Sequence, residues 1–360
     1  MADAIVKCLI WDLDNTLWSG TVLEDAEVTF RSGIKDVVAE LDSRGILQSV
    51  ASRNDHDLAW GWLEKLGIAE YFVLPEINWG PKSESVRRIA DKLQFAHSAV
   101  AFIDDQSAER AEVAYYLPEI RCYDAASATS LPSLPEFRPA VVTDDARRRR
   151  LMYKSGFERE AARESFTGPD EEFVTSLGLE MCITRATERE LARVEELTLR
   201  TSQMNATGVH YSQDALRELM NDPWHDVLVI TMEDKFGPHG AVGIVLLERH
   251  SLVWQLKLLA TSCRVVAFGA GSVILRWIID GAAASGAHLA ADFLPTNRNR
   301  MMEVAYRFSG LTAEDCPCLA DVTARSRRDE IQVLHMTPRR MDAPVTMRLV
   351  APDLGSGNGR

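Results

Sequence analysis

Near its start the chain runs through a short apolar stretch, Ile5–Trp11, straight into Asp12-Leu13-Asp14-Asn15-Thr16-Leu17. Such a stretch, with β-branched content and a carboxylate at its end, reads as a buried strand that delivers its last residue into a loop. Two carboxylates at i and i+2 just beyond a strand can both face one pocket when the chain curls over. One can then attack an electrophile while the other moves protons. Alone, the Asp-x-Asp-x-Thr pattern also describes two solvated acids near a turn, so the residues that follow must decide.

The strand signal recurs. Ile46–Ala51 ends at Ser52, further strand signals cover Phe72–Leu74 and Ala99–Ile103, and helical segments occupy Ser32–Arg44, Asp55–Leu66 and Ser83–Leu93. Gly45 is the stop signal of the first of these helices. Strands alternating with helices of this length predict an α/β fold with a doubly wound, mostly parallel sheet. The polar residues of interest fall at the carboxyl ends of the strands, where open α/β sheets bind ligands. Ser52, with Arg53 beside it, offers a hydroxyl and a backbone N–H to a phosphate oxygen. Lys82 opens a helix after Trp79-Gly80-Pro81 and puts a cation where negative charge would develop. Asp104-Asp105 end another strand and, with Asp12 and the carbonyl of Asp14, complete an oxygen-rich Mg²⁺ site.

A length of 360 residues predicts two domains. Pro132, Pro135 and Pro139 punctuate a connector, and Arg147–Arg150 begin a charged helical stretch whose interleaved Glu158, Glu160 and Glu164 mark a solvated helix. The expected division is a first domain over 1–140, a charged helical linker over 141–172, a second α/β domain over 173–345 and a flexible tail over 346–360. A net charge of −13 repels polyanions and makes nucleic acid a poor partner. No apolar run reaches 20 residues, the start lacks a signal-peptide pattern, and the six scattered cysteines read as reduced thiols, so the expectation is a cytoplasmic protein. Cys316-Pro-Cys318 is too tight for an ordinary zinc half-site, has no second pair in sequence, and reads as a loop; His210 and His225 read as structural.

In the second half, strand signals at Glu180–Thr184, Asp226–Met232, Ala241–Glu248 and Leu252–Leu259 accompany helices at Glu188–Arg200 and Gly271–Ala284. Between the last strand and the last helix lies Cys263-Arg264-Val265-Val266-Ala267-Phe268-Gly269, a turn suited to cradle an anion on free N–H groups. Arg264 and Gly269 are its marked positions, and the stretch resembles the pyrophosphate-binding loop of GNAT-type acyltransferases. Cys263 is open to two readings: an inert packed cysteine, or a nucleophile activated by the helix N-terminus and Arg264.

The order Asp, Ser, Lys, Asp, each at an element edge, resembles the four motifs of the haloacid dehalogenase (HAD) superfamily over residues 5 to about 125. That resemblance implies Asp12 as nucleophile, Asp14 as general acid/base, Ser52, Arg53 and Lys82 as phosphoryl-binding residues, and Asp104 and Asp105 serving Mg²⁺. The interval from Thr16 to Ser52 leaves no room for a large cap domain. Across nearly the whole chain, KCLIWDLDNTLW, SVASRNDHD, FIDDQSAER, ELTLRTSQMNATG, SCRV and TNRNRMMEVAYRFSGL resemble, in this order, the FkbH-like proteins of polyketide pathways, which join a HAD domain to a GNAT-like one. The resemblance implies an enzyme that takes 1,3-bisphosphoglycerate, removes phosphate and loads a glyceryl unit onto the phosphopantetheine arm of an acyl carrier protein through a cysteine thioester. Cys263 is the first candidate for that thioester and Cys8 the second. Gln203, Asn205, Thr207, Asn297 and Arg298 are candidates for holding the glycerate or pantetheine, with helix capping as the competing reading. Ala267 and Phe268 stand where the family often carries Gly and Arg, which removes a cation from that turn. The alternative function is a Mg²⁺-dependent phosphatase of a small phosphomonoester with a non-catalytic second domain.

Overall fold

A computed structural model describes residues 5–25, 27–200, 204–296, 299–323, 331–340 and 346–354. The chain divides into two compact units, Met1–Phe157 and Glu158–Arg360.

The first unit is built on β1 (Cys8–Trp11), β4 (Leu47–Ser52), β5 (Glu76–Ile77), β6 (Val100–Asp104) and β7 (Arg121–Asp124), with a two-residue hairpin of β2 (Trp18–Ser19) and β3 (Thr29–Phe30). Its sheet is parallel throughout, in the order β5-β4-β1-β6-β7, so β1 is central. Every residue of β1, β4 and β6 is buried, as expected of strands covered on both faces by helices. Those helices are α1 (Ile34–Ser43), α2 (His56–Lys65), α3 (Lys82–Leu93) and α4 (Ser107–Tyr116). In α1 the buried residues Ile34, Val37, Val38 and Leu41 follow the i, i+3, i+4, i+7 stripe that turns one helix face to a core. Asp55 caps α2 by accepting from Leu58 N–H. Gly45 ends α1 with φ of 76°, and a Cβ there would lie 2.5 Å from the Ala146 carbonyl oxygen, so both its backbone and its neighbour exclude a side chain.

One expected strand does not form. Phe72 makes only a single bridge to Gln48, because Leu74 takes a left-handed φ of 49° that breaks the extended run; the sheet edge is Glu76–Ile77 instead. Among the described residues between Thr16 and Ser52, the elements before β4 are the β2–β3 hairpin and α1, in keeping with the absence of a large cap. The short α5 (Asp144–Arg147) leads into α6 (Arg149–Ser165). The first turns of α6 are tied into this unit, Arg150 pairing with Asp42 at 2.9 Å and Tyr153 packing edge-on against Phe95.

The second unit contains α7 (Asp170–Ser176), β8 (Glu180–Arg185), α8 (Leu191–Arg200), α9 (Gln213–Asn221), β9 (His225–Asp234), β10 (Gly237–Arg249), β11 (Val253–Thr261), α10 (Ala270–Ala284), β12 (His288–Phe293), α11 (Arg300–Phe308), α12 (Leu319–Thr323), β13 (Gln332–Met336) and β14 (Arg348–Val350). They form one mixed sheet in the order β13-β12-β11-β10-β9-β8-β14. Strands β8 to β11 meander antiparallel, whereas β12 runs parallel to β11 because α10 carries the chain across between them. Helix α10 buries Val273, Ile274, Leu275, Ile278 and Ile279 in the main core of this unit. Taken together the chain is mixed α/β: a Rossmann-like parallel sheet followed by a second α/β unit built on a mixed seven-stranded sheet.

The expectation of a flexible tail over 346–360 is corrected for residues 346–354 by β14, which pairs in parallel with Glu180–Cys182 of β8, while 355–360 lie outside the described residues. Leu354 is buried beyond it, and its carbonyl accepts from Arg249 at 2.6 Å. Three backbone pairs and an apolar anchor outweigh the low complexity of the final residues. Among the described residues, no helix is long and apolar enough to cross a membrane.

Candidate active site

The parallel sheet brings the carboxyl ends of β1, β4 and β6 side by side, and the residues singled out in sequence meet there. Asp12 follows β1 and is anchored by its N–H to the Ile103 carbonyl at 2.9 Å. The chain then curls tightly: Thr16 and Leu17 N–H both bond the Leu13 carbonyl, and Asn15 takes the left-handed turn, with φ of 54°, that Asn tolerates better than most residues. This one-turn loop places Asp12 and Asp14 two residues apart on a bend rather than along a strand.

Lys82, the first residue of α3 after Pro81, is buried, and its ammonium uses all three donors within the site. It bonds Asp12 Oδ1 closely, Asp104 Oδ2 at 3.0 Å and the Ala51 carbonyl at 2.9 Å. Thr16 Oγ1 donates to Asp12 Oδ2 at 3.1 Å and accepts from the Asp105 N–H at 3.0 Å, joining the first motif to the last. Ser52 is buried at the end of β4, and its carbonyl accepts from Asn78 N–H.

Carboxylate oxygens of Asp12, Asp104 and Asp105 lie within 4.8 Å of one another. Three carboxylates against one ammonium leave uncompensated negative charge in a largely buried place. Burial, reinforced by the neighbouring Asp12 charge, pushes the Asp104 carboxyl up to about 6 and raises Asp105 as well. Burial likewise lowers the Lys82 ammonium, but the charges of Asp12 and Asp104 outweigh it and the net shift is upward. Asp105 Oδ1 has no hydrogen-bond partner although it is buried. An orphaned oxygen beside two more carboxylates is a donor set that fits a small hard cation such as Mg²⁺.

Asp14 is half-buried and held by three donors: Trp18 Nε1 at 2.8 Å and Val22 N–H at 3.1 Å on one oxygen, Asn54 Nδ2 at 2.9 Å on the other. Burial raises its carboxyl above the usual range, the Trp18 and Val22 bonds opposing that rise. Asn54 and Trp18 were not among the sequence candidates for the site. Asn54 stands two residues past Ser52 in the same loop, and that proximity was the available signal.

Other candidates are placed elsewhere. Arg53 is engaged by Glu109 at 2.7 Å, the Gly80 carbonyl at 3.2 Å and Glu112 at 3.4 Å, so its guanidinium braces α4 against the loops before α2 and α3 instead of standing free for phosphate. Cys8 lies inside β1 with no exposed surface, and burial raises its thiol far above the ordinary value. A thiol so placed stays protonated and out of reach, which removes Cys8 as a thioester candidate.

In the second unit Asn205 and Thr207 are both buried in a turn: Asn205 Oδ1 accepts from Thr207 and Gly208 N–H, and Thr207 Oγ1 accepts from Val209 N–H. They satisfy the backbone of their own turn and cap no helix, the next helix being capped by Ser212. Asn299, overlooked in sequence, ties that turn down by donating to the carbonyls of Asn205 and Leu294. The turn after β11 is a 3₁₀ segment, Cys263–Phe268, and Gly269 adopts a left-handed φ of 72° at the start of α10 with no side chain capping the helix. Arg264 is exposed and bonds Ser262 Oγ. The side chain of Cys263, and all of Gln203, Asn297 and Arg298, lie outside the described residues.

The cluster of carboxylates and lysine lies at the carboxyl edge of a Rossmann-like parallel sheet. Residues 20–112 match the haloacid dehalogenase-like hydrolase family, a stretch that takes in Ser52, Lys82, Asp104 and Asp105 and begins beyond Asp12 and Asp14. The first unit thus carries a HAD-like hydrolase domain. Among solved structures, the chain is similar to the N-terminal, phosphatase-domain part of protein BF1531 from Bacteroides fragilis, complexed with Mg, at 27% identity over 38% of this chain and 42% of that one, TM-score 0.34. It therefore spans less than half of that relative. It is also similar to 3-deoxy-D-manno-octulosonate 8-phosphate phosphatase from Moraxella catarrhalis, in complex with magnesium, phosphate and KDO, at 19% identity over 28% and 57% of the chains, TM-score 0.24. Ard1 from Thermoplasma volcanium matches at 12% identity over 44% of this chain and 99% of that one, TM-score 0.34. No curated protein matches the sequence.

Proposed function

We propose that the chain is a Mg²⁺-dependent phosphatase joined to a glyceryl transferase, which takes 1,3-bisphosphoglycerate and passes a glyceryl unit to an acyl carrier protein for polyketide biosynthesis. The observation that carries the phosphatase half is the convergence of Asp12 and Asp104 on Lys82, which donates to both and to the carbonyl of Ala51, next to Ser52. Asp12, Asp104, Asp105 and the Asp14 carbonyl would hold Mg²⁺, which neutralises charge on the phosphoryl oxygens when bound.

Asp12 attacks the phosphorus of the phosphomonoester, a P–O bond forms to its carboxylate, and the bond to the leaving alkoxide breaks. Asp14, whose carboxyl burial raises above its usual range, gives the alkoxide its proton. It then takes a proton from water, which attacks phosphorus, releases phosphate and restores Asp12. Lys82 balances the charge on Asp12 and the phosphoryl group, while Ser52 binds a phosphoryl oxygen.

For the acyl half, the thiolate of Cys263 attacks the carbonyl carbon of the acyl phosphate. A C–S bond forms, the C–O bond to phosphate breaks, and phosphate leaves with its electron pair. Exchange onto a phosphopantetheine thiol regenerates the cysteine. Two things support this assignment: the burial of Cys8, and the position of Cys263 at the head of the 3₁₀ segment Cys263–Phe268 that leads into α10, whose start has no side-chain cap and suits the anionic part of a pantetheine arm. Incubation with 1,3-bisphosphoglycerate and Mg²⁺, followed by intact-mass spectrometry and a phosphate assay, tests both halves. A glyceryl adduct that disappears in Cys263→Ala is expected. Phosphate release without any adduct would leave the hydrolase and remove the transferase.

A further inference from the structure

At the edge of the second unit's sheet, β12 and β13 pair antiparallel, with Ala290 opposite His335. Here four side chains from three separate stretches of the chain converge. His288 Nδ1 lies 3.0 Å from His335 Nε2, 3.4 Å from Cys316 Sγ and 3.3 Å from Cys318 Sγ. One donor atom from each of the four lies within 4.8 Å of every other. Both thiols are free cysteines and not a disulfide.

The backbone fixes this arrangement. Thr312 and His335 exchange both N–H···O=C bonds, at 2.9 and 2.7 Å, which seats the loop beside the strand. The turn Cys316-Pro317-Cys318 is closed by Leu319 N–H to the Cys316 carbonyl and Ala320 N–H to the Pro317 carbonyl, so both sulfurs face the same way. Beneath them Cys318 and Leu319 pack on Val253, Ala290 and Val322.

As a hydrogen-bond network the cluster is unsatisfactory. A ring nitrogen of neutral imidazole is either one donor or one acceptor, yet His288 Nδ1 faces an imidazole nitrogen and two sulfurs at bonding distance. A cation at the centre satisfies all four at once. Bond lengths of about 2.05 Å to nitrogen and about 2.3 Å to sulfur give tetrahedral edges of about 3.3 Å between nitrogens and about 3.6 Å between nitrogen and sulfur. The observed separations lie within a few tenths of an ångström of these.

We propose that His288, Cys316, Cys318 and His335 bind a structural Zn²⁺ ion that clips the 312–318 loop to the open edge of the sheet. Four protein ligands leave no position for substrate, which assigns the site to stability and not to chemistry. Binding exchanges two S–H bonds for two S–Zn bonds and releases two protons, while the imidazoles bind neutral. The site belongs to the second unit and is independent of the phosphatase reading.

The test uses the full chain, purified under reducing conditions, incubated with Zn²⁺ and passed into zinc-free buffer containing Mg²⁺. Elemental analysis is expected to find one zinc per chain, reduced at least about tenfold in the double variant Cys316→Ser/Cys318→Ser. Phosphatase activity of that variant at saturating Mg²⁺ stays at the wild-type level. Should the variant not fold, the wild-type chain still decides. Loading with Co²⁺ is expected to give strong tetrahedral d–d bands and thiolate charge-transfer absorption, and a mercurial titrant is expected to release one zinc for two thiols. Retention of no zinc by the reduced wild-type chain, an octahedral cobalt spectrum, or undiminished zinc in the double variant would each overturn the proposal.

Discussion

Asn54 Nδ2 donates to Asp14 Oδ2 at 2.9 Å, joining the loop beyond β4 to the loop beyond β1. Asn54 is almost wholly buried, so its orientation is fixed by packing and it holds the acid/base carboxyl at a set angle. Asn54→Ala is expected to lower kcat for a phosphomonoester by about 10- to 100-fold, a fraction of the total contribution of general acid–base catalysis. KM should change little, because Asn54 bonds Asp14 and no candidate phosphate ligand. An effect confined to KM would show that Asn54 acts on substrate.

Asp12→Asn removes the attacking carboxylate while keeping its shape. A loss of about 10⁴-fold or more in phosphate release is expected, the scale seen when an essential nucleophile is removed. Phosphate trapping on the protein, visible as a mass increase in the wild type, should vanish with it. Turnover within tenfold of wild type would exclude Asp12 as nucleophile.

Lys82 joins two buried carboxylates, so its removal leaves both without their cation. Lys82→Ala should destabilise the metal-free first unit by about 3–5 kcal/mol, the cost of stranding buried charge. Because Mg²⁺ brings positive charge to the same oxygens, it should raise the melting temperature more in the variant than in the wild type. Equal Mg²⁺ shifts in both proteins would refute that compensation.

His225 lies 2.9 Å from Asp222 and 3.6 Å from Glu248, which Lys257 also contacts at 3.0 Å. Burial lowers its pKa, but the two carboxylates outweigh this and the net shift is upward from 6.5. The His225 bond in turn holds Glu248 well below the usual carboxylate range. A histidine raised on folding contributes stability that is complete below its unfolded value and lost as pH rises through the folded one. A depressed carboxylate contributes above its unfolded value, 4.5, and loses that as pH falls through the folded one. The pair is therefore strongest between about 4.5 and 6.5. His225→Gln should cost about 1–2 kcal/mol at pH 6, with a gap to wild type that narrows towards pH 9. Thermal melts across that range check it, and a constant gap would count against the ion pair.

Leu354 is buried beyond β14, where its carbonyl accepts from Arg249. Leu354→Ala should destabilise the second unit by about 2–3 kcal/mol, at the lower end for a buried leucine. Truncation after residue 346, which also removes β14, should cost more. Unchanged denaturant midpoints in both would restore the view of this segment as a loose tail.

Much of the first unit was legible because local chemistry and topology agree there. An apolar run followed at once by Asp12, another followed by Ser52, and a third ending at Asp104 state both the strand and what its end presents. Parallel pairing of consecutive βα units then leaves those ends one outcome: a common edge. Lys82 was legible from its place behind Gly80-Pro81, where a helix must begin. Arg53 was not, since its type suits phosphate equally well, and only the positions of Glu109 and Glu112 on α4 show that its charge is already answered. Asn205 and Thr207 likewise offer the same polar atoms to a ligand or to their own backbone, and the turn chose the backbone.

The sequence alone determined the alternation of elements, the cluster at the strand ends and the order of the two units, because these depend on periodicity and near-neighbour spacing. Tertiary structure decided what distant residues do to one another. It recruited Arg348–Val350 into a sheet begun at residue 180, and set His288 and His335 against a Cys-Pro-Cys turn that has no partner in its own stretch of chain. Strand pairing can join any two segments of suitable pattern, so contacts made across a sheet leave no trace in the spacing of the residues that make them.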